Sequence, residues 1–457
     1  MTQNTHTPRR SSKGKPSLKK GQHKANPNIG NSRKVAVQAL CNILDQKQGL
    51  DQAITMASNV AKLSPRDRAF VVQLVTTTLR RYGSLLSTID YMLERPLDRR
   101  SQDVQVIIMT GLTQIFFMRT DDHAAVNETV NLLHGKRQRF RGITNALLRR
   151  AIRERDDLID HMDQSATEDL PHWLAASWNQ TYGTKVTEAI AKSLRTPPMT
   201  DITVKKPEDQ KDLALELDAD ILPTGNLRLK PTDVTALSGY DQGGWWVQDV
   251  AASLPAMLFR DVTDKTVVDF CAAPGGKTMQ LAAMGANVVA VDRSKPRLKR
   301  LHANLKRTWL KAKVIVADAL EADLSDHTID HILLDAPCSA TGTLRRNPDL
   351  MWCKGADDIQ SLLPLQADLL DHAFALLPVG GTLVYCVCSL EAAEGIHQIE
   401  SFLDRTPKAK RQTIKPEDIS DSSELLTEDG DLLCLPSLWS ERGGMDGFFA
   451  ARLTKTA

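Results

Sequence analysis

Two cysteines in this sequence stand where thiol chemistry can be done. Cys338 lies in Asp335-Ala-Pro-Cys-Ser339 and Cys388 in Cys386-Val-Cys-Ser389. Cys338 follows a short apolar run that reads as a strand over 331–335, Cys388 lies at the end of another over 381–389, and each is followed by serine. A lone cysteine is usually a small buried hydrophobe. Two at strand ends, facing one rim of a parallel sheet, are not explained that way. A thiolate adds to electron-poor carbons, and carbon-6 of a pyrimidine is one. Addition there makes carbon-5 nucleophilic enough to take a methyl group from a sulfonium; loss of the carbon-5 proton then expels the thiolate. This chemistry needs a reactive thiol, an acid or hydrogen bond at the N3 side of the base, and an unstacked base. Cys388, Asp335 and their rim position can supply these. Cys386, one strand step from Cys388 on the same side, reads as packing.

A methyl donor would need its own site, and one stretch upstream fits. Val267 and Val268 read as the end of a buried strand closed by Asp269; Pro274, Gly275 and Gly276 force a tight turn, and a helix begins at Lys277. A strand, a glycine turn and a helix N-terminus let a ligand touch bare backbone. The stretch lacks G-x-x-x-x-G-K-[ST] and the full G-x-G-x-x-G, so it points to an adenosine-type cofactor, with a plain structural turn as the alternative. Asp292 ends the next strand, about twenty residues on, where a carboxylate accepts from ribose hydroxyls. Asp318, at the following strand end, is placed to meet an adenine edge. Asp269, Asp292, Asp318 and Asp335 are thus expected at four strand ends, where ligands of such sheets bind.

The elements behind these residues alternate over 251–457. Strands are expected at 266–271, 287–292, 313–318, 331–335, 381–389 and 448–453; helices at 277–284, 295–308 and 359–377. Helices between short apolar strands predict a doubly wound, mostly parallel α/β sheet of the Rossmann-like kind. The front of the chain differs. Over 32–156 apolar residues recur at helical steps (Val35, Leu40, Ile43, Leu44; Phe70, Leu74, Val75; Ile107, Ile108, Leu112, Ile115, Phe116), with Ser64-Pro65 as a helix start and Gly83 and Pro96 as punctuation. That predicts an all-α bundle. Residues 157–250 read as a small α+β module: Trp173, Trp178 and Tyr182 on a helix, a break at Thr196-Pro-Pro198, then Ile202, Val204, Leu213, Leu215 and Leu217 in short strands and a helix. Residues 1–31 hold seven Lys/Arg and no acid and are expected to be a disordered basic tail, either an RNA-attracting or a solubilising one.

Charge separates the same regions. The net charge of +2 conceals 27 Lys/Arg against 12 Asp/Glu in residues 1–156, and 31 against 44 in the remainder. A basic module ahead of an acidic one suggests a nucleic-acid partner; a solvated basic helix face is the alternative. No apolar run has the length of a membrane span, and seven scattered cysteines in 457 residues make no disulfide framework. Reduced thiols in a cytoplasmic protein are expected, with no membrane partner and no metal.

The motifs carry a resemblance. "LSPRDRAFVVQLVTTTLRRYGSLLSTIDYMLERPL", "DHAAVNETVNLL" and "RGITNALLRR" resemble the NusB-like RNA-binding domain. "DFCAAPGGKT", "VDRS", "ADAL", "DAPCSATGTLRRNPD" and "YCVCSL" follow in the order found in the RNA cytosine-5 methyltransferases of the Sun/Fmu type, which carry such a front domain. The resemblance implies a three-part chain of NusB-like helical domain, α+β linker module and class I methyltransferase domain. It implies S-adenosylmethionine as cofactor, held by Cys271, Ala272, Ala273, Pro274, Gly275, Gly276 and Lys277 together with Asp292, Asp318 and Asp335. It implies Cys388 as nucleophile, Cys338 as the thiol that assists release, and Asp335 as the residue that holds the cytosine. The partner it implies is small-subunit ribosomal RNA, with no DNA and the protein a monomer. Asn127, Glu128 and Asn145 fall in the bundle's signatures, as RNA contacts or as helix-bridging polar groups. Arg345, Arg346 and Asn347 are either phosphate or sugar contacts or a plain surface loop. Two departures stand out: Val387 where the family usually has Thr, and Thr203-Val-Lys205 where it usually has Arg-Val-Asn. A transfer-RNA cytosine-5 methyltransferase, a DNA cytosine methyltransferase and a non-catalytic RNA-binding assembly factor are the rival functions.

Overall fold

The structure is a computed structural model and describes residues 1–2, 29–58, 63–95, 97 and 101–456. Most of the expected basic tail, from residue 3 to 28, and Pro96 lie outside these residues. The tail's expected end at 31 is corrected: α1 (Ile29–Gln46) already runs at Ile29, because a nucleated helix extends past its packed residues at little cost.

The bundle continues with α2 (Leu50–Ser58), α3 (Pro65–Arg80), α4 (Tyr82–Met92), α5 (Gln102–Phe117), α6 (Asp122–Asn131), α7 (Arg141–Arg153) and α8 (Arg155–Asp163). Ser64 caps α3 as its sequence requires, its hydroxyl accepting from Asp67 N at 3.1 Å with Pro65 in the first turn. Two apolar clusters fill the bundle, one on α1–α3 and one on α4–α8, with α5 buried along nearly its whole length. Helices α9 (His172–Tyr182) and α10 (Thr184–Leu194) follow; Trp178 is fully buried, and the pair packs against Leu344, Met351 and Leu390.

A four-stranded antiparallel sheet then forms from β1 (Thr200–Val204), β2 (Asp220–Ile221), β3 (Leu227–Leu229) and β4 (Trp245–Val247), in the order β2-β3-β1-β4, with α11 (Gln210–Glu216) beside it. Leu215, on α11, is exposed; Ile202, Leu227 and Trp245 make the core of this module. Thr203 and Lys205 bond inward, to Gln248 Oε1 at 2.9 Å and to Thr308 O at 2.6 Å.

The last region holds α12 (Val250–Met257), β5 (Thr266–Phe270), α13 (Gly276–Ala283), β6 (Asn287–Asp292), α14 (Lys295–Thr308), β7 (Lys313–Val316), β8 (His331–Asp335), α15 (Leu350–Cys353), α16 (Ala356–Leu376), β9 (Thr382–Val387), α17 (Ile396–Arg405), β10 (Ala409–Arg411), β11 (Leu432–Cys434) and β12 (Phe448–Lys455). The sheet order is β10-β12-β9-β8-β5-β6-β7, with β11 on β12. Strands β5 to β9 are mutually parallel and β10 to β12 antiparallel, so the expected fold class is observed. Alternation along the strands divides the core. Val267, Leu333 and Val384 face α12 and α13, while Val268, Ile332 and Leu383 face α16 and α17. The order reverses between β5 and β8, and an open α/β sheet binds its ligand at that crevice.

Candidate functional site

The glycine loop leaves β5 at Phe270 and enters α13 at Gly276. Gly275 has φ +105°, and a Cβ there would lie 2.9 Å from Leu301 Cγ, so only glycine brings the loop this close to α14. Asp292, last in β6, braces the loop: Oδ2 accepts from Ala273 N at 3.1 Å and Oδ1 from Ser294 N at 2.8 Å. Arg297 donates to Ala273 O, and Asn304 Nδ2 to Pro274 O at 3.2 Å. All of these partners lie within about one βαβ unit of the loop.

Two of the four expected strand-end acids need correction. Asp269 is not the last residue of its strand: it lies within β5, fully buried at the floor of the cavity beside the glycine loop, where Oδ2 accepts from Thr278 Oγ1 at 2.6 Å. Burial pushes its carboxyl up to about 7. Asp318 reaches the cavity from two residues beyond β7, which ends at Val316; its Oδ1 accepts from Leu320 N at 3.1 Å.

The thiols meet. Cys338 Sγ lies 3.5 Å from Cys388 Sγ, although 50 residues separate them in sequence. The loops that carry them are joined by backbone: Ala336 N donates to Cys386 O at 2.9 Å and Gly342 N to Cys388 O at 3.0 Å. Beside them Lys277 Nζ donates to Asp335 Oδ2 at 2.8 Å and sits 4.7 Å from the centre of the Phe448 ring. Burial alone would lower the Lys277 ammonium, but Asp335 and the neighbouring thiols outweigh it and the net direction is up, which keeps it charged. The Cys338 thiol is pushed up by its contact with Cys388, by burial, and by the charges of Cys388 and Glu394. Burial raises Cys271 to about 12, so it stays a thiol. Cys386 is buried, also raised, with its sulfur 3.7 Å from Asp335 Oδ1.

A cavity of about 310 Å³ gathers Cys271, Asp292, Asp318, Asp335, Cys338 and Cys388. A second, of about 290 Å³, is lined by Ala272, Ala273, Pro274, Gly276 and Lys277, and Asp335 belongs to both. Val291, Pro337, Leu365 and Leu369 give the first cavity an apolar wall. Its donor set suits an adenosine: apolar contact for a flat ring, with carboxylates for hydroxyl and amino groups. Among the described residues no group of three metal-ligating side chains converges, and no helix is long and apolar enough to cross a membrane.

The Arg345-Arg346-Asn347 stretch is not free to grip phosphate. Arg345 is buried and donates to Gly443 O. Arg346 binds Asp249 and Asp446, and Asn347 Nδ2 turns back to Thr343 Oγ1 at 3.1 Å. Asn127 is exposed on α6, and Asn145 accepts from Arg149 Nε at 3.2 Å. Sequence reasoning missed Glu394, which lies under both thiol loops; no motif spacing signals it.

A doubly wound sheet with a glycine loop, cofactor-side acids and a thiol pair at its switch point defines the class of S-adenosylmethionine-dependent methyltransferases. The comparisons then narrow it. Residues 256–454 match the family described as 16S rRNA methyltransferase RsmB/F, and residues 30–153 match the NusB family. Similar proteins include the ribosomal RNA small subunit methyltransferase B of Cronobacter sakazakii, 34% identical over 83% of this chain and 91% of that one. That of Pseudomonas putida is 35% identical over 93% of this chain and 99% of its own. Two solved structures share the fold. One is PH0851, with TM-score 0.68 and 23% identity over 94% of this chain and 99% of its own. The other is NSun6 from Pyrococcus horikoshii with SFG, with TM-score 0.54 and 20% identity over 63% and 98%. The chain belongs to the ribosomal RNA small subunit methyltransferase B family. It is an RNA methyltransferase whose cofactor is S-adenosylmethionine.

Proposed function

We propose that this protein methylates carbon-5 of a cytosine in 16S ribosomal RNA, with Cys388 as nucleophile. The observation that carries this is the thiol pair: two sulfurs 3.5 Å apart on one cavity, with the Lys277–Asp335 pair beside them. A methyltransferase acting on nitrogen or on a hydroxyl needs neither thiol. S-adenosylmethionine, when bound, supplies an electrophilic methyl group; the loop from Cys271 to Lys277 with Asp292 and Asp318 would hold it. Asp335 accepts from the exocyclic amino group of the flipped cytosine, and Lys277 fixes the orientation of that carboxylate. Cys388 Sγ, as the thiolate, adds to carbon-6, and carbon-5 gains the methyl group. A base then takes the carbon-5 proton, the C–H pair restores the ring double bond, and the carbon–sulfur bond breaks with its pair returning to Cys388 as thiolate. Cys338 assists this last step. The basic bundle docks the RNA, and the enzyme works as a cytoplasmic monomer without DNA.

Cys388→Ala tests the assignment. Methyl transfer to RNA falls by at least about a thousandfold while cofactor affinity holds, as for loss of an essential nucleophile. Retained turnover rejects Cys388. Bisulfite mapping of 16S and transfer RNA, with and without the gene, separates the ribosomal substrate from the transfer-RNA alternative.

A further inference from the structure

Beneath the two thiol loops lies a carboxylate that the mechanism above does not use. Glu394, in the turn before α17, is fully buried. Its Oε1 accepts from Ser339 N at 2.8 Å and from Gln366 Nε2 at 3.0 Å; its Oε2 accepts from Ser339 Oγ and Ser389 Oγ. Ser339 follows Cys338 and Ser389 follows Cys388 in sequence. The neighbourhood is closed by further bonds: Gln366 Nε2 to Pro337 O at 2.9 Å, Leu390 N to Thr341 Oγ1 at 3.0 Å, and Tyr385 OH to Glu394 O at 2.7 Å. These four partners of the carboxylate are neutral donors. A buried carboxylate among neutral donors is costly unless every lone pair is used, so its place is tightly determined.

We propose that Glu394 is the positioning residue of the thiol pair, fixing Cys338 through Ser339 and Cys388 through Ser389 so that both sulfurs address one base. The inference rests on the cytosine-5 reading for its catalytic meaning, but its geometry does not. One carboxylate ties two loops that are 55 and 5 residues away in sequence, and among the described residues no other side chain hydrogen-bonds both serines' hydroxyls except Thr341, itself on the first loop. A fixed spacing matters because the two thiols act in turn on neighbouring carbons, and misplacement by about 1 Å can cost about a hundredfold in rate. The charge of Glu394 also helps hold Cys338 as a thiol. The groups that face Cys338 are Cys388 from the end of β9, Tyr385 within β9, Glu394 from the turn before α17, and the backbone N of Ala340 on its own loop.

The test uses the full chain with Glu394→Gln, Ser339→Ala and Ser389→Ala. Glu394→Gln lowers single-turnover methyl transfer by about a hundredfold while the affinities for S-adenosylmethionine and RNA stay within about twofold. In the protein without RNA, it also moves the pH profile of Cys338 alkylation by iodoacetamide to lower pH, since a negative charge is gone. That arm needs no methyl transfer, so it stands or falls apart from the cytosine-5 reading. The serine variants keep the proposal testable if Glu394→Gln does not fold. Ser339→Ala makes a covalent protein–RNA species accumulate, and Ser389→Ala slows its formation. An unmoved alkylation profile overturns the proposal, as does a loss of transfer matched by loss of cofactor binding, or both serine variants slowing the same step.

Discussion

The two loops that meet at the switch point are held in opposite ways. The glycine loop after β5 is braced by its own neighbourhood: Asp292, Arg297 and Asn304 all belong to the next strand and helix. The loop after β8, which carries Cys338, is braced from the rest of the molecule. Arg80 of the front bundle donates to Arg345 O at 2.6 Å, and Leu50 N donates to Asp349 Oδ2 at 2.9 Å. Trp352 Nε1 reaches Leu79 O at 3.1 Å, and Tyr82 packs on the Trp352 ring. Arg346 binds Asp249 and Asp446, 97 and 100 residues away in sequence. The glycine loop is therefore braced within one βαβ unit, while placement of Cys338 depends on the front bundle and the segment before the C-terminal strand together. The front bundle touches the segment that carries Cys338, so the two halves of the chain share one loop.

This difference can be broken at graded cost. Removing the release thiol comes first: Cys338→Ala lowers turnover by about 10²–10⁴-fold and leaves a denaturation-resistant protein–RNA species, seen as a shifted band on a denaturing gel. Appearance of that band with Cys388→Ala instead would reverse the two roles. Next, Arg346→Ala leaves two buried carboxylates without their cation, and urea unfolding should show a loss of about 3–5 kcal/mol. Turnover falls with it, but cofactor affinity measured calorimetrically on the folded protein stays; an equal fall in affinity would mean that the loops are not separately braced.

Asp292→Asn strikes the other loop. It removes a charge-assisted acceptor worth about 1.5–3 kcal/mol, so S-adenosylmethionine binds roughly ten- to a hundredfold more weakly while Cys338 and Cys388 alkylate as before. Altered thiol reactivity would count against local bracing. The smallest effect is on pH dependence. Asp269 carries its proton up to about 7 in the folded chain, against 3.8 for the ordinary carboxyl. Between those values the folded state binds more protons than the unfolded state, so this group's contribution to stability falls as pH rises from about 4 to about 7. The slope is at most about 1.4 kcal/mol per pH unit. Asp269→Asn flattens that part of the curve; an unchanged slope would show that Asp269 is ionised in the fold.

Periodicity and turn chemistry carried the elements far. The strand at 287–292 and the helix at 295–308 fall where the sequence pattern put them, and Ser294 caps that helix. Errors came at strand ends. The run 313–318 stops as a strand at Val316, and Asp269 sits inside its strand, fully buried, with its carboxylate bonded to Thr278. A run of residues shows that a strand is present, but which way its last carboxylate faces depends on the register with its neighbours.

By itself the sequence determined the helical front, the parallel sheet, the glycine turn and the presence of two thiols at strand ends, because these depend on local propensity and on spacing within one element. Only the tertiary structure decided that the thiols lie 3.5 Å apart, that Arg345 and Arg346 serve the fold, and that Glu394 lies under both loops. Those facts join residues some 50 to 100 positions apart in sequence. Pairings over such distances are selected by packing and by the satisfaction of buried polar groups, which no local pattern encodes.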